Sequence, residues 1–387
     1  MTRIDLAGLT ARPAQVWGGI RLVPLVREEP VEWLRLHREV YGGYGAGAVG
    51  VGPRTEYVSY IPHGFVADWS GDTGRTGGSA AYGTQFGDGA EPPACVPVRR
   101  HHRMAKGERG GKRLRFLPLH LALEGYLALH FGGPSVVWDE WSQQAVRQGL
   151  SPRAEAAYAG WQVRGLGEAL RVFEIHPGQC GVLVYAADAL AAAFLVPHPD
   201  DYRALHPTLI EDLYGETVHQ YALYGAPVPE FTARIRDTGH LRGLADLRAA
   251  ARAQERSWTE SHDTLMARDL LGTSYAFERV RRAGPYELYR FLPPFVHNAG
   301  QEQHIGEVIT DHKGRAVYLK SFRLSDKQIR RGYLLRRLAD CDWHLGRTAE
   351  ALGTGYEELV TRIRAAGFAS LLNAHTVSQR VREGRGS

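Results

Sequence analysis

Cysteines are few in this chain and a long apolar run is absent. These two absences argue against a disulfide-stabilised protein and against a membrane-spanning protein. The three cysteines, Cys95, Cys180 and Cys341, are odd in number and lie far apart, which argues against a disulfide framework and paired metal-ligand spacing. No eighteen consecutive residues are apolar, and the N-terminal residues lack the apolar stretch of a signal peptide. We therefore expect a cytoplasmic protein without a membrane-spanning segment.

The common catalytic motifs are also missing. The sequence has no Gly-x-x-x-x-Gly-Lys-Ser/Thr phosphate loop, no His-Glu-x-x-His, no Cys-x-x-Cys and no Gly-x-Ser-x-Gly. Gly45, Gly47 and Gly50 match the spacing of a dinucleotide-binding fingerprint, but neither a strand before them nor a helix after them is evident. The sequence therefore identifies no cofactor and no metal site, and leaves open whether the protein is an enzyme.

Positive charge is concentrated at the C-terminal end. The whole chain carries a formal net charge of +5. Residues 321–387 hold twelve Lys and Arg against seven Asp and Glu, so this segment carries the entire excess. Such a balance suits a module that faces a polyanion such as DNA. The alternative is an ordinary basic tail, because five charges are few.

Apolar periodicity and turn residues predict an α+β fold, with a body built on a mixed sheet with helices. We expect strands at 16–26, 55–68, 181–185, 192–196, 274–281, 286–291, 305–310 and 316–322, with a turn at 312–315 between the last two. We expect helices at 117–131 and 230–270 and a long helix from 199 toward 224, and a loop at the Gly-rich residues 70–93. The expected domains are an α+β body (1–228), a helical segment with a small β region (229–324) and a C-terminal module (325–387).

The C-terminal module has the pattern of three helices. Apolar residues support a first helix from Ile329 to Trp343, a second at 345–352 and a third at 356–366. Gly353 is expected in the turn and Gly367 at the end of the third helix, where a positive φ favours glycine. Trp343, Ala349, Gly353, Leu359, Ile363 and Gly367 together resemble the Fis-type helix-turn-helix.

That resemblance implies a homodimer whose third helix lies in the major groove of DNA. The nucleic-acid-binding residues would then be Gly355, Tyr356, Thr361, Arg362 and Arg364. Glu357 and Glu358 depart from the family, which commonly has basic residues on that helix, and they repel phosphate. The alternative is a three-helix module used only for dimerisation or partner contact.

Three stretches of the body carry a second resemblance. Residues 19–25, 137–140 and 177–184 resemble the family of domains associated with ADP-ribosylglycohydrolases and rhodanese-like phosphatases. The resemblance implies a place in NAD or ADP-ribose pathways and a nucleotide or ADP-ribose-like ligand. It carries over no catalytic residue.

The body also contains clusters of polar residues that suit a site. A basic run could hold phosphate groups through Arg99, Arg100, Arg103, Lys112 and Arg113, or it could be a solvated loop. His198, Asp200 and Asp201 could form a polar site, or they could cap the helix that starts there. His297, His304 and His312 could converge across a hairpin.

Three functions remain open at this point. The first is a regulator with a ligand-sensing body and a DNA-binding helix-turn-helix. The second is an enzyme or accessory protein of NAD or ADP-ribose metabolism that uses its helical tail for assembly. The third is a non-catalytic interaction protein.

Overall fold

The computed structural model describes residues 2–31, 34–37, 47–52, 55–59, 65–68, 78–82, 84–87, 95–98, 114–116, 175–209, 217–218, 220–230, 235, 241–283, 285–297 and 300–372. The strands of these residues are β1 (Leu9–Ala11), β2 (Gln15–Trp17), β3 (Ile20–Arg27), β4 (Arg35–His37), β5 (Gly47–Gly52), β6 (Thr55–Ser59), β7 (Phe65–Asp68), β8 (Gly78–Tyr82), β9 (Thr84–Gly87), β10 (Cys95–Val98), β11 (Leu114–Phe116), β12 (Gln179–Ala186), β13 (Ala189–Leu195), β14 (Ala276–Ala283), β15 (Tyr286–Leu292), β16 (His304–Thr310) and β17 (Ala316–Arg323). The α-helices are α1 (Pro199–Thr208), α2 (Leu244–Ser261), α3 (Arg268–Leu271), α4 (Asp326–Asp340), α5 (Leu345–Ala351) and α6 (Tyr356–Ala365). Short π-helical segments lie at Gln220–Tyr224 and His262–Met266, and a 3₁₀-helical turn lies at Ala369–Leu372.

A nine-stranded sheet forms the centre of the body. Its order is β1-β3-β12-β13-β17-β16-β15-β14, and β2 also pairs with β3. The α+β class is confirmed, but the sheet is antiparallel in all its pairs rather than mixed. The reason lies in the short hairpins β12–β13, β14–β15 and β16–β17, because a tight turn can join only antiparallel strands.

The β12–β13 hairpin shows how local sequence sets this geometry. Ala186 pairs with Ala189, so the loop consists of Ala187 and Asp188 alone. Both loop residues have positive φ, 49° and 62°, as a type I′ turn requires. The Asp188 carboxylate accepts hydrogen bonds at 3.0 and 2.8 Å from the Arg21 guanidinium of β3, which fixes the hairpin to its neighbouring strand.

Both faces of this sheet are covered, so its central strands are buried throughout. Successive residues alternate between two cores, with Val182 and Val184 in one and Leu183 and Tyr185 in the other. The first core also contains Tyr202 of α1, Phe295 and Ile329 of α4. The second contains Ile4 and Ala14 of the N-terminal segment and Leu270 of α3.

The sheet joins strands from both sides of the expected domain boundary at residue 228. β13 pairs with β17, with Phe194 opposite Lys320, and the β15–β17 strands lie between β13 and β14. Residues of the expected body and of the region 229–324 therefore share one sheet and its two cores.

Two smaller sheets have the orders β10-β8-β7-β11 and β4-β5-β6-β9. β8 and β9 fall within residues 70–93, so the expectation of a loop there is wrong for these two segments. The sequences Gly-Ser-Ala-Ala-Tyr of β8 and Thr-Gln-Phe-Gly of β9 have little apolar alternation, and the backbone pairing with β7 and β6 makes them strands instead.

The C-terminal module is three helices with a core of their own. That core contains Leu338 of α4, Ala349 of α5, and Leu359 and Ile363 of α6. The expected turn glycines are confirmed, because Gly353 has φ +60° and Gly367 has φ +83°. Trp343 was expected in the first helix but lies in the turn after it, with φ 61°, because α4 ends at Asp340. No helix of the described residues is long and apolar enough to cross a membrane.

Candidate nucleic-acid interface

Side-chain caps define the starts of α4 and α5, the two helices of the C-terminal module that precede α6. Ser325 and Gln328 form a reciprocal capping box at the start of α4. His344 caps α5, because its Nδ1 accepts a hydrogen bond of 3.2 Å from the backbone N–H of Arg347. At the end of α5, the backbone N–H of Thr354 donates to the Ala349 carbonyl at 3.0 Å, which closes the turn into α6.

The rotation of α6 is fixed by its buried residues. Leu359 and Ile363 are both fully buried and four positions apart, so one face of the helix packs on α4 and α5. Because successive helical residues are about 100° apart, Glu357, Thr361 and Arg364 lie on the opposite face. All three are exposed to solvent.

The structure places every predicted DNA-binding residue at the surface. Gly355, Tyr356, Thr361, Arg362 and Arg364 are exposed, and Tyr356 retains 56% of its accessible surface. Two of the side chains already have partners within α6. Thr361 Oγ1 donates to the Glu357 carbonyl at 2.9 Å, and Arg362 forms an ion pair with Glu358.

The ion pair changes the electrostatics of the helix. Glu358 is neutralised by Arg362 one turn later, so these two side chains contribute little net field. Glu357 and Arg364 form no ion pair with the described residues. The outward face of α6 therefore presents one uncompensated carboxylate near its start and one uncompensated guanidinium near its end.

The start of α1 has the geometry of a helix cap. The backbone N–H of Asp200 donates to His198 Nδ1 at 3.1 Å, and the Asp200 carboxylate pairs with Arg203 at 3.1 Å. Asp201 is buried at the same place. The structure thus brings His198, Asp200 and Asp201 together, and His198 and Asp200 contact each other and Arg203 within the first turn of the helix.

The three late histidines do not converge. His304 begins β16 and His312 follows its end, which separates them by about 25 Å of extended strand. His304 is fully buried and lies 3.4 Å from Ser321 Oγ, and burial lowers its pKa to about 3. His297 and His312 are exposed. No group of three metal-binding side chains occurs among the described residues.

Other predicted positions fall partly or wholly outside the described residues. Arg99, Arg100, Arg103, Lys112 and Arg113 lie outside them. Gly47 and Gly50 belong to β5, which pairs with β4 and β6. A strand interior is not the strand-to-helix turn that a dinucleotide fingerprint requires, so the rejection of that motif is supported.

A row of hydrogen-bonded polar side chains lies beneath α2, and none of its residues was among the predicted sites. The Tyr185 hydroxyl lies 2.7 Å from His262 Nε2, and His262 Nδ1 lies 2.8 Å from Asp263 Oδ1. Trp258 stacks on the His262 ring at 5.1 Å. Tyr185 is fully buried and burial raises its pKa above the ordinary value, so its hydroxyl stays protonated. These contacts fasten α2 to the sheet, and Tyr185 is 77 residues away from His262, too far to give a local signal in the sequence.

Comparison with known proteins identifies one family. The ARPP-2 family model matches residues 4–284. No curated protein and no solved structure matches the chain. The matched region ends between β14 and β15, so the three C-terminal helices lie beyond it. Because the match covers more than half of the sequence, the chain belongs to the ARPP-2 family.

Proposed function

We propose that this protein is a DNA-binding regulator whose sheet body senses a ligand and whose α6 contacts DNA. The observation that carries the proposal is the orientation of α6. Its inner face closes a separate three-helix core, and its outer face, with Thr361 and Arg364, is exposed along the helix. A helix held in this way can enter the major groove without disturbing the fold.

The start of α6 adds to this support. Gly355 precedes the helix with an extended backbone, and no side chain caps the first backbone N–H groups. Uncapped N–H groups of this kind can donate to a phosphate oxygen while Arg364 contacts the backbone further along. Glu357 lowers the attraction for phosphate in general, and it can accept a hydrogen bond from the amino group of cytosine. We therefore propose weak non-specific binding and a preference for particular sites.

A connection between the body and the module makes regulation by a ligand feasible. α4 contributes Ile329 to the core of the sheet and Leu334, Leu335 and Leu338 to the core of the module. α4 therefore offers a physical route by which a change in the body could shift α6. We further propose that the protein acts as a homodimer, which the helix-turn-helix resemblance implies.

The test is selection of DNA from a random-sequence duplex pool by the full chain at low salt, followed by titration at higher salt. We expect enrichment of particular sequences and an affinity that falls steeply as salt rises. Arg364→Glu should abolish the enrichment, because it replaces the one uncompensated guanidinium of the outer face. A pool that stays random, or an Arg364→Glu variant that selects the same sequences, would overturn the proposal in favour of an assembly role for the module.

A further inference from the structure

A cleft of about 610 Å³ lies at one end of the nine-stranded sheet. Its walls are the N-terminal residues 2–5, the ends of β14 and β15, and the turn that joins β16 to β17. This volume falls within the range of small-molecule sites in proteins, roughly 300–1,000 Å³. Arg3, Asp5, Arg282, Glu287, Tyr289 and His312 are among the lining residues.

Backbone hydrogen bonds hold the N-terminal wall in place. The backbone N–H of Tyr275 donates to the Thr2 carbonyl at 3.0 Å, and that of Ala316 donates to the Asp5 carbonyl at 2.8 Å. The wall therefore does not depend on ion pairs across the cleft, and the Arg3 side chain and one carboxylate oxygen of Asp5 remain available for other contacts.

Two of the carboxylates around the cleft already accept hydrogen bonds from neighbouring residues. Asp311 accepts from the backbone N–H groups of Lys313 and Arg315 and from the Arg315 guanidinium at 2.7 Å. Burial acts to raise the pKa of Asp311, but these hydrogen bonds outweigh it and lower the pKa. Glu287 accepts from the Tyr289 hydroxyl, which lowers its pKa, and from Arg279 at 3.4 Å.

The arginine side chains of the cleft have fewer partners than these carboxylates. Arg3 forms no ion pair with the described residues. Arg282 Nε lies 3.9 Å from Glu287 Oε1, too far for a hydrogen bond, and 70% of its side chain is exposed. The His312 ring is exposed at the same rim. Of the remaining carboxylates, Asp5 uses one oxygen to accept from the backbone N–H of Ala7 at 2.8 Å.

Neither the Arg3 nor the Arg282 guanidinium donates a hydrogen bond within the described residues, although Arg282 has a long ion pair with Glu287. The two groups lie on two walls of one cleft. Guanidinium groups match the oxygens of a phosphate group, with which they form charge-assisted hydrogen bonds. Tyr289 and Pro285 add apolar surface on which a sugar or a base can rest.

We propose that this cleft binds a small phosphorylated metabolite, with Arg3 and Arg282 holding the phosphate. The inference rests on the proposed function, in which this metabolite is the ligand that the body senses. The same chemistry admits a sugar phosphate and a nucleotide, which differ in what rests on Tyr289.

Calorimetric titration of the full chain tests the assignment with ribose 5-phosphate and AMP as probes and with ribose and adenosine as uncharged controls. We expect the phosphorylated probes to bind at millimolar concentration or below and the uncharged ones not to bind. The double variant Arg3→Ala/Arg282→Ala should weaken binding by about tenfold or more. Tighter binding of AMP than of ribose 5-phosphate would identify the nucleotide.

A matched control is Arg248→Ala/Arg252→Ala, which removes two exposed guanidinium groups from α2, outside the cleft. This control should bind the probes as the unmodified chain does. The proposal is overturned if neither phosphorylated probe binds, if ribose or adenosine binds equally well, or if both double variants behave alike.

DNA titration of the same proteins separates this proposal from the proposed function. Without added metabolite, Arg3→Ala/Arg282→Ala should bind DNA as the unmodified chain does. A chain that binds AMP but no DNA would retain the cleft as a site and overturn the regulator. A chain that binds DNA but no phosphorylated probe would retain the regulator and overturn the cleft as a phosphate site.

Discussion

Gly332 of α4 lies so close to Phe295 that a Cβ atom on Gly332 would be 2.2 Å from Phe295 Cε1. Phe295 is 1% exposed and has φ 55°, a backbone region that bulky residues rarely adopt. The loop after β15 therefore holds Phe295 in a strained backbone conformation, and the Phe295 ring fills the space left by the missing side chain of Gly332. This contact joins the sheet to the first helix of the C-terminal module.

Gly332→Ala tests this contact. The added methyl group has no room, so α4 or the Phe295 ring must shift, and we expect a loss of about 1–3 kcal/mol in the free energy of unfolding. Urea unfolding followed by circular dichroism measures it. The matched control is Gly346→Ala in α5, where the Cβ meets only the exposed His344 ring at 3.2 Å. Helix propensity favours alanine at both sites, so an equal response of both variants would contradict the proposed clash.

A buried ion pair crosses the centre of the sheet. Lys320 Nζ of β17 lies 2.8 Å from Glu307 Oε2 of β16, and both side chains are fully buried. The two residues are direct cross-strand partners, and Arg290 of β15 lies opposite Glu307 on the other side, with Nε 3.6 Å from Oε1. Three charges of alternating sign thus follow one another across neighbouring strands.

Lys320→Met should destabilise the chain strongly, by about 3–5 kcal/mol, because it leaves the Glu307 carboxylate in the core without its lysine. Adding Glu307→Met should restore most of the lost stability, because an apolar pair of similar volume needs no desolvation of charge. Urea unfolding of the two single variants and the double variant gives the coupling energy.

The exposed pair Arg347–Asp342 provides the control for this cycle. Its side chains are 56% and 81% exposed, so Arg347→Met should change the free energy of unfolding by less than about 1 kcal/mol. If the double variant of the buried pair is as unstable as Lys320→Met alone, the two charges do not act as a pair.

Patterns that are local in sequence predicted several elements of this fold correctly. β12, β15, β16, β17 and the turn at Gly314 follow from runs of apolar residues bounded by turn residues. The three C-terminal helices follow from apolar spacing together with Gly353 and Gly367. Each of these signals lies within about fifteen residues, which is the range over which side-chain periodicity acts.

Relationships between distant residues could not be predicted in this way. The pairing of β13 with β17 joins residues that are more than 120 positions apart, such as Leu195 and Leu319, and nothing in either strand specifies the partner. The cleft joins Arg3 to Arg282 and His312, so its residues share no spacing. The histidines were grouped because they are close in sequence, but an extended strand carries His304 and His312 apart.

Two buried histidines predict loss of stability in mild acid. Burial lowers the pKa of His206 to about 4 and that of His304 to about 3, whereas an unfolded histidine titrates near 6.5. As pH falls below about 6.5 the unfolded chain takes up protons that the folded chain does not, so the folded state loses stability. Between about pH 7.5 and about pH 5 each histidine should cost roughly 2 kcal/mol.

Unfolding by urea at the two pH values measures the effect in His206→Gln. The variant should lose roughly 2 kcal/mol less than the unmodified chain on acidification, because one of the two imidazoles whose pKa burial lowers is gone. His312→Gln removes an exposed imidazole and should leave the pH dependence unchanged. An acid response of His206→Gln equal to that of His312→Gln would show that His206 does not carry this effect.

The two uncompensated charges of α6 predict opposite changes in DNA affinity. Arg364→Ala should weaken binding to random-sequence duplex DNA and reduce the slope of log affinity against log salt by about 1, the value for one lost phosphate contact. If α6 contacts DNA as proposed, Glu357→Gln should strengthen the same binding, because it removes a negative charge that repels phosphate. Fluorescence anisotropy at several salt concentrations measures both changes, with Arg248→Ala on α2 as the control for loss of one positive charge. If Arg364→Ala and Arg248→Ala bind alike at every salt concentration, α6 is not the helix that contacts DNA, and the charge excess of the C-terminal segment acts elsewhere.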